Sequence, residues 1–364
     1  MLATFKPIEA LEARQGSDSW NLHLDKLCFP REAADAGAKN LALSHVKNSW
    51  QYKAAVYLKD AAERQARWLR KLGKQHGSQF RAILLSADSR LVLHLGRASV
   101  LENIGLYSNH TTGLPLIPGT SLKGVISTWA AWDANTTSDG CFKEGDSFIS
   151  MRQEDARSVL GDNSDAGSQG SGEIIFVGGF PAEPNRLPSL EFDILTPHPD
   201  NGRGRILPNI FLAWGSGALW RFVIFARPNA CNATKLLDLT EQWLTEALTQ
   251  VGLGAKTAAG YGRFRLPTPD EHERIRKLDD QLTLEDQECQ KRAQHEAELA
   301  QLQPEEKAYA RYVANQKDWV AAAREIAARP EPERQWILRY FRTASGQSLL
   351  KSWTNEKGKK RIEN

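Results

Sequence analysis

Residues 252–263 read Gly-Leu-Gly-Ala-Lys-Thr-Ala-Ala-Gly-Tyr-Gly-Arg, between a run of helical periodicity at 234–251 and the strand-like Phe264-Arg265-Leu266. Glycine reaches positive φ without steric cost, so the helix can stop at Gly252 and the chain can turn into a strand within a few residues. The segment therefore commits the chain to a helix–loop–strand unit. The same freedom lets bare backbone approach a polyanion, with successive N–H groups converging on phosphate oxygens. Lys256 and Arg263 would supply charge, and Tyr261 a flat face. A plain tight connection between two elements is the alternative.

A second segment, Gly113-Leu-Pro-Leu-Ile-Pro-Gly-Thr-Ser-Leu-Lys-Gly124, has related chemistry. Thr120 or Ser121 is a good N-cap, and Leu122 to Trp132 carries apolar residues at helical spacing. Unpaired amides of a first helical turn, two hydroxyls and Lys123 at one place favour an anion, aided by the helix dipole. An ordinary N-cap beside a surface lysine is the competing reading. Neither segment is a nucleoside-triphosphate loop: GxxxxGK[ST] fails at Gln250 and Ala255, and GxGxxG fails at Thr257. The chain also lacks a GxSxG elbow and an HExxH zinc motif, and its eight histidines have no ligand spacing.

Around these segments the chain falls into three regions: a mostly helical 1–79, a β-rich 80–268 and a helical 269–364. The first includes a helix from about Ala54 to Leu72; through residue 80 it carries 13 Lys and Arg against 8 Asp and Glu. The second opens with Phe80–Ser86 and Arg90–Leu95, a plausible hairpin. Polar residues 133–172 form an excursion with one short helix near Gln153–Leu160. Strands resume at 172–177, at 191 and at Ala218–Ala226. Strand, helix, strands, helix and strand in this order fit a ferredoxin-like βαββαβ unit within an α+β protein. Between the middle strands, Pro197 and Pro199 flank His198, and Arg203 and Arg205 sit on an Asn-Gly-Arg-Gly-Arg tip. Two guanidiniums on such an arm could grip RNA or a neighbouring protein. His198 could stack on RNA or, less simply, act as a general base. From Asp270 onward, 18 Lys and Arg balance 18 Asp and Glu, and Trp319, Ile326, Trp336, Leu338, Tyr340, Phe341 and Trp353 can supply an apolar face.

The formal net charge of +3 neither demands nor excludes a nucleic acid, so an anion site must be local. Four widely spaced cysteines suggest reduced, buried thiols and no zinc site. The apolar runs are too short to cross a bilayer and there is no signal-peptide core, which places the chain in the cytoplasm with no membrane partner.

The Leu-Pro-Leu-Ile-Pro-Gly-Thr-Ser-Leu-Lys-Gly segment and the 252–264 loop resemble motifs of the RAMP superfamily of CRISPR effector proteins. Within it, Phe192-Asp-Ile-Leu-Thr-Pro-His198 and Gly254–Gly262 are similar to the sixth Cmr-type subunit of type III-B complexes. The resemblance covers about 80–266; the helices after 270 depart from the shorter family pattern. It implies an RRM-related ferredoxin-like fold and a non-catalytic, cofactor-free crRNA-binding subunit near the guide's 3′ end. Such a subunit caps a filament of repeated backbone RAMP subunits, beside the small helical subunit, another RAMP subunit and complementary target RNA. Thr120, Ser121, Lys123, Gly252, Gly254, Lys256, Thr257, Gly260, Tyr261 and Gly262 match the family's two motifs, and both segments are expected to touch the crRNA backbone, with Arg263 added on its charge. The rivals are an endoribonuclease of the same superfamily, using His198 or an Asp such as Asp25, and a protein-docking subunit built on the 270–364 helices.

Overall fold

The computed structural model describes residues 20, 36–93, 106–135, 151–161, 170–195, 209–300, 324–344, 346–348 and 351. Asp25, Cys28, Cys141, His198, Arg203, Arg205, Trp319 and Trp353 lie outside them. Two compact units divide at Arg276/Lys277. The expected boundary at 268/269 instead coincides with the start of a helix, Pro269–Ala300, whose opening turns belong to the first unit.

In the first unit, helices α1 (Ala36–Asn48) and α2 (Ala55–His76) precede strand β1 (Phe80–Ala87). There follow β2 (Ile117–Pro118), α3 (Gly119–Asn135), α4 (Met151–Leu160) and β3 (Ile174–Pro181). A separate two-stranded ladder, β4 (Leu190–Leu195) with β5 (Asn209–Trp214), is inserted before β6 (Leu219–Ala226), α5 (Ala233–Gln250) and β7 (Phe264–Arg265). The main sheet has the order β2-β3-β6-β1-β7, every neighbouring pair antiparallel. Without β2 and the inserted ladder, the chain order β1-α3-β3-β6-α5-β7 and the spatial order β3-β6-β1-β7 are those of a ferredoxin-like unit.

Alternation along the strands explains why the sheet is covered twice. Ile83 and Leu85 of β1 and Trp220, Phe222 and Ile224 of β6 join one core with Leu122 and Ile126 of α3 and Leu237, Trp243, Leu244 and Leu248 of α5. Leu122 and Ile126 are four residues apart, and Leu237, Leu244 and Leu248 seven and four apart, so each helix buries one stripe. Two polar ties join α3 to α5: Trp129 Nε1 donates to Glu246 and Trp243 Nε1 to Asp133, each at 3.0 Å. On the opposite face Leu69 of α2 packs with Phe180 and Val223, and the His76 ring stacks on Phe225 with centroids 4.5 Å apart. Ile275, from the helix that opens at Pro269, packs there with Ala182 and Leu219.

That helix, α6 (Pro269–Ala300), starts on a capping box. The Thr268 amide donates to Glu271 Oε2 at 2.7 Å, and the Glu271 amide donates to Thr268 Oγ1 at 3.3 Å. Arg265 adds a two-pronged bond to the same carboxylate at 2.8 and 2.9 Å. This arrangement holds the Glu271 carboxyl down at about 2, the arginine bond being the largest cause.

Three expectations need correction. Phe80–Ser86 does not pair with the run after Arg90: β1 pairs with β6 and β7, and Leu91 bridges to Trp214 at the end of β5 instead. Three residues between the runs looked enough for a hairpin, but the sheet already supplies β1 with two partners. Helix α3 begins at Gly119, so Thr120 and Ser121 lie inside its first turn and neither is the cap. Cys231 and Cys289 are free thiols at the surface, not buried ones.

In the second unit, α7 (Glu331–Arg342) buries Ile337 and Tyr340 while Leu338 is 55% exposed, so Leu338 does not belong to the apolar face assigned to it. Among the described residues, no helix is long and apolar enough to cross a membrane.

Candidate nucleic-acid interface

The glycine loop is wired into the fold by the groups that looked free to meet a ligand. Gly252, Gly254, Gly260 and Gly262 all have positive φ. The amides of Leu253, Ala255 and Gly262 donate to the carbonyls of Gly262, Val92 and Arg90, and that of Arg263 to Ser89 Oγ. Those of Ala259, Gly260 and Tyr261 close turns within the loop. A Cβ on Gly262 would stand 1.9 Å from the Leu253 carbonyl oxygen, and one on Gly254 2.3 Å from that of Val92. These two glycines therefore serve close backbone approach. At Gly260 a Cβ would meet open space, leaving only the turn to explain that glycine. The amides of Gly254, Lys256, Thr257 and Ala258 make no hydrogen bond among the described residues.

Lys256 is the exception to the glycine pattern. Its φ of 61° is left-handed, at a bend where glycine would sit without strain. Neither its ammonium nor the exposed guanidinium of Arg263 meets a carboxylate among the described residues.

Tyr261 is placed differently from expectation. Its hydroxyl donates to Asp193 Oδ2 on β4 and its half-buried ring lies 6.1 Å from that of Phe211. Burial and the Asp193 carboxylate together push the phenol up to about 12. Arg90 closes the network, donating to Glu191 Oε2 at 2.9 Å and Asp193 Oδ2 at 3.0 Å. Against the cost of burial, the Tyr261 hydroxyl, then the Ile194 amide and Arg90, hold Asp193 below its ordinary value. Tyr261 thus anchors the loop to the β4–β5 ladder. The sequence reading missed Arg90 and Glu191; their only signal was the alternation that puts Glu191 and Asp193 on one side of β4.

At the mouth of α3 the glycine is again structural. A Cβ on Gly119 would lie 2.0 Å from the Phe176 carbonyl oxygen, where β3 bulges between Phe176 and Gly178. Thr120 and Lys123 are exposed and Ser121 is half-buried. The mouth sits at the β2–β3 edge and the glycine loop at the β7 edge, across the whole sheet order. From strand rise and spacing the two are roughly 25 Å apart, so a single phosphate cannot touch both.

RRM domains stack bases on an open sheet face. Here α2 covers that face over β3 and β6, and the start of α6 covers it near Leu84 and Leu219. Any nucleic acid must therefore use loops and edges.

The model of the RAMP superfamily matches residues 77–265, more than half the chain, and the chain belongs to that superfamily. No curated protein matches it in sequence. Among solved structures it is similar to a chain of the type III-B Cmr-beta complex bound to cognate target RNA, at 15% identity and a TM-score of 0.45, over 63% of this chain and 71% of that one. It is also similar to Cmr6 from Pyrococcus furiosus, at 21% identity and a TM-score of 0.34, over 52% of this chain and 99% of that one. A type IV-B CRISPR complex includes a further similar chain, at 14% identity and a TM-score of 0.34, over 52% and 94% of the two chains.

Proposed function

We propose that the chain is a non-catalytic RNA-binding subunit of a type III-B CRISPR effector complex, contacting crRNA near its 3′ end and capping the backbone filament. The observation that carries this reading is Lys256, held in left-handed backbone on a loop otherwise locked by glycine contacts, in a member of the RAMP superfamily. Strained backbone that persists beside a rigid scaffold is a mark of a working surface. Phosphate and ribose, not base edges, are the groups recognised, so any guide sequence fits. The order of the Pro-Gly-Thr-Ser-Leu-Lys-Gly, Thr-Pro-His and glycine-loop motifs supports the choice of subunit.

The test is salt. Replacing Lys123, Lys256 and Arg263 together by alanine should flatten the slope of log K against log salt for single-stranded RNA by about 2 units. An unchanged slope would reject the assignment.

A further inference from the structure

Between α1, the start of α2 and the turn that leads into β4 lies a cleft of about 510 Å³, within the range that holds a small organic ligand. Its lining carries Lys47, Lys59 and Arg186 against a single acid, Glu191, with Trp50 and Gln51 beside them. The acid is already committed. Glu191 Oε2 accepts from Arg90 and Oε1 from Ser189 Oγ at 2.8 Å, so its charge is offset and it does little to repel an incoming anion. Lys47 lies over the Phe192 ring, 4.8 Å from its centroid, which fixes one cation on an aromatic face.

The rim is rigid where it presents Arg186. Pro184 and Pro188 are buried on either side, and the Arg186 amide bonds the Glu183 carbonyl at 3.1 Å. The Glu183 carboxylate is in turn held by Arg274 at 3.0 Å. The guanidinium of Arg186 is left at the surface with no carboxylate partner among the described residues.

The cleft also adjoins the glycine loop. Glu191 lines it, and Asp193, two residues along β4, accepts the Tyr261 hydroxyl. Two residues of strand span about 7 Å, close to the reach of one nucleotide and far less than the distance to the mouth of α3. We infer that this cleft takes one nucleotide of single-stranded RNA, its phosphate held by Lys59 and Arg186, as the strand continues from the glycine loop. The inference rests on the RNA-binding function proposed above, and it extends the strand from the glycine loop toward α1 and α2, on the side away from the contact at Lys123.

Single-stranded RNA carrying 4-thiouridine, irradiated with the full chain, should cross-link to residues 47–59 or 184–191. Arg186→Glu with Lys59→Glu, both exposed positions, should lower RNA affinity about tenfold at low salt. Lys59 pairs with Glu63 one turn on at 4.0 Å, so the two substitutions should lower the unfolding midpoint only slightly. Cross-links confined to other residues, or affinity unchanged in that double variant, would overturn the cleft. So would a double variant that keeps its RNA affinity but loses a protein partner, which would make the cleft a protein-docking site. The function proposed above is tested separately by the triple variant at Lys123, Lys256 and Arg263. Should that variant bind with a flattened salt slope while the cleft variant behaves as wild type, only the cleft falls.

Discussion

The two glycine-bearing segments looked alike in sequence and are built differently. At the mouth of α3, one glycine lets a helix start against the bulge of β3, and what remains is an ordinary first turn with an exposed lysine. In the 252–263 loop, glycines at 254 and 262 bring backbone against backbone, most amides are spent inside the protein, and the tyrosine is tied to β4. Glycine richness at both places reflects packing; the displayed cations carry the functional argument. A rigid loop that holds a lysine in costly backbone differs from a helix end that happens to bear one, because only the first has given up stability to keep it.

The largest expected effect is Gly262→Ala, where a new Cβ would need to move the Leu253 carbonyl; a loss of about 3 kcal/mol or more is expected in chemical denaturation. Gly260→Ala, in open space at φ 90°, should cost only about 1 kcal/mol of backbone strain. Equal costs at the two positions would show that the loop is not locked as described. Gly119→Ala should resemble Gly262→Ala, since its Cβ also meets a carbonyl oxygen.

Next in size is Glu271→Gln, which weakens the cap at the start of α6 and should cost about 2 kcal/mol, discounted for the partly exposed Arg265. Because the folded carboxyl sits near 2, below its ordinary 4.5, its contribution is full above about pH 4.5 and is lost as pH falls toward 2. A variant with the same acid-denaturation profile as wild type would contradict this. Tyr261→Phe removes one bond to a carboxylate and should cost about 1.5 kcal/mol. The folded phenol is raised to about 12 from 10, so its contribution is present below pH 10 and disappears as pH rises through 12. Ultraviolet titration of wild type should show one tyrosine ionising late, and Tyr261→Phe should lose that step. The smallest effect belongs to the helix mouth: Lys123→Ala should change stability by less than about 0.5 kcal/mol.

The fold was legible because its elements are patterned locally. The nearly continuous apolar run of Leu219–Ala226, helical spacing in α5 and the stop at Gly252 each point to one structure, and their order defines the ferredoxin-like unit. Pairing across the chain was not legible. Leu91 meeting Trp214 and Phe80–Ala87 meeting Leu219–Ala226 depend on which strands the helices bring together. The site divided the same way. Lys256 and Arg263 could be picked out by type and setting, while the Arg90–Asp193–Tyr261 network joins residues distant in sequence with no motif of their own. The T-x-x-E cap at Thr268–Glu271 is present in the sequence, flanked by Pro267 and Pro269, and only the structure shows its two bonds.

Lys256→Gly tests the account most directly, by measuring stability and RNA affinity on the same protein. Relief of left-handed strain should raise stability by about 0.5 kcal/mol, net of the extra freedom glycine has when unfolded. Affinity for single-stranded RNA should fall about tenfold at low salt, with a salt slope flatter by about 0.7. A variant that gains stability and keeps both affinity and slope would show that Lys256 is not displayed for RNA, and would contradict the central claim.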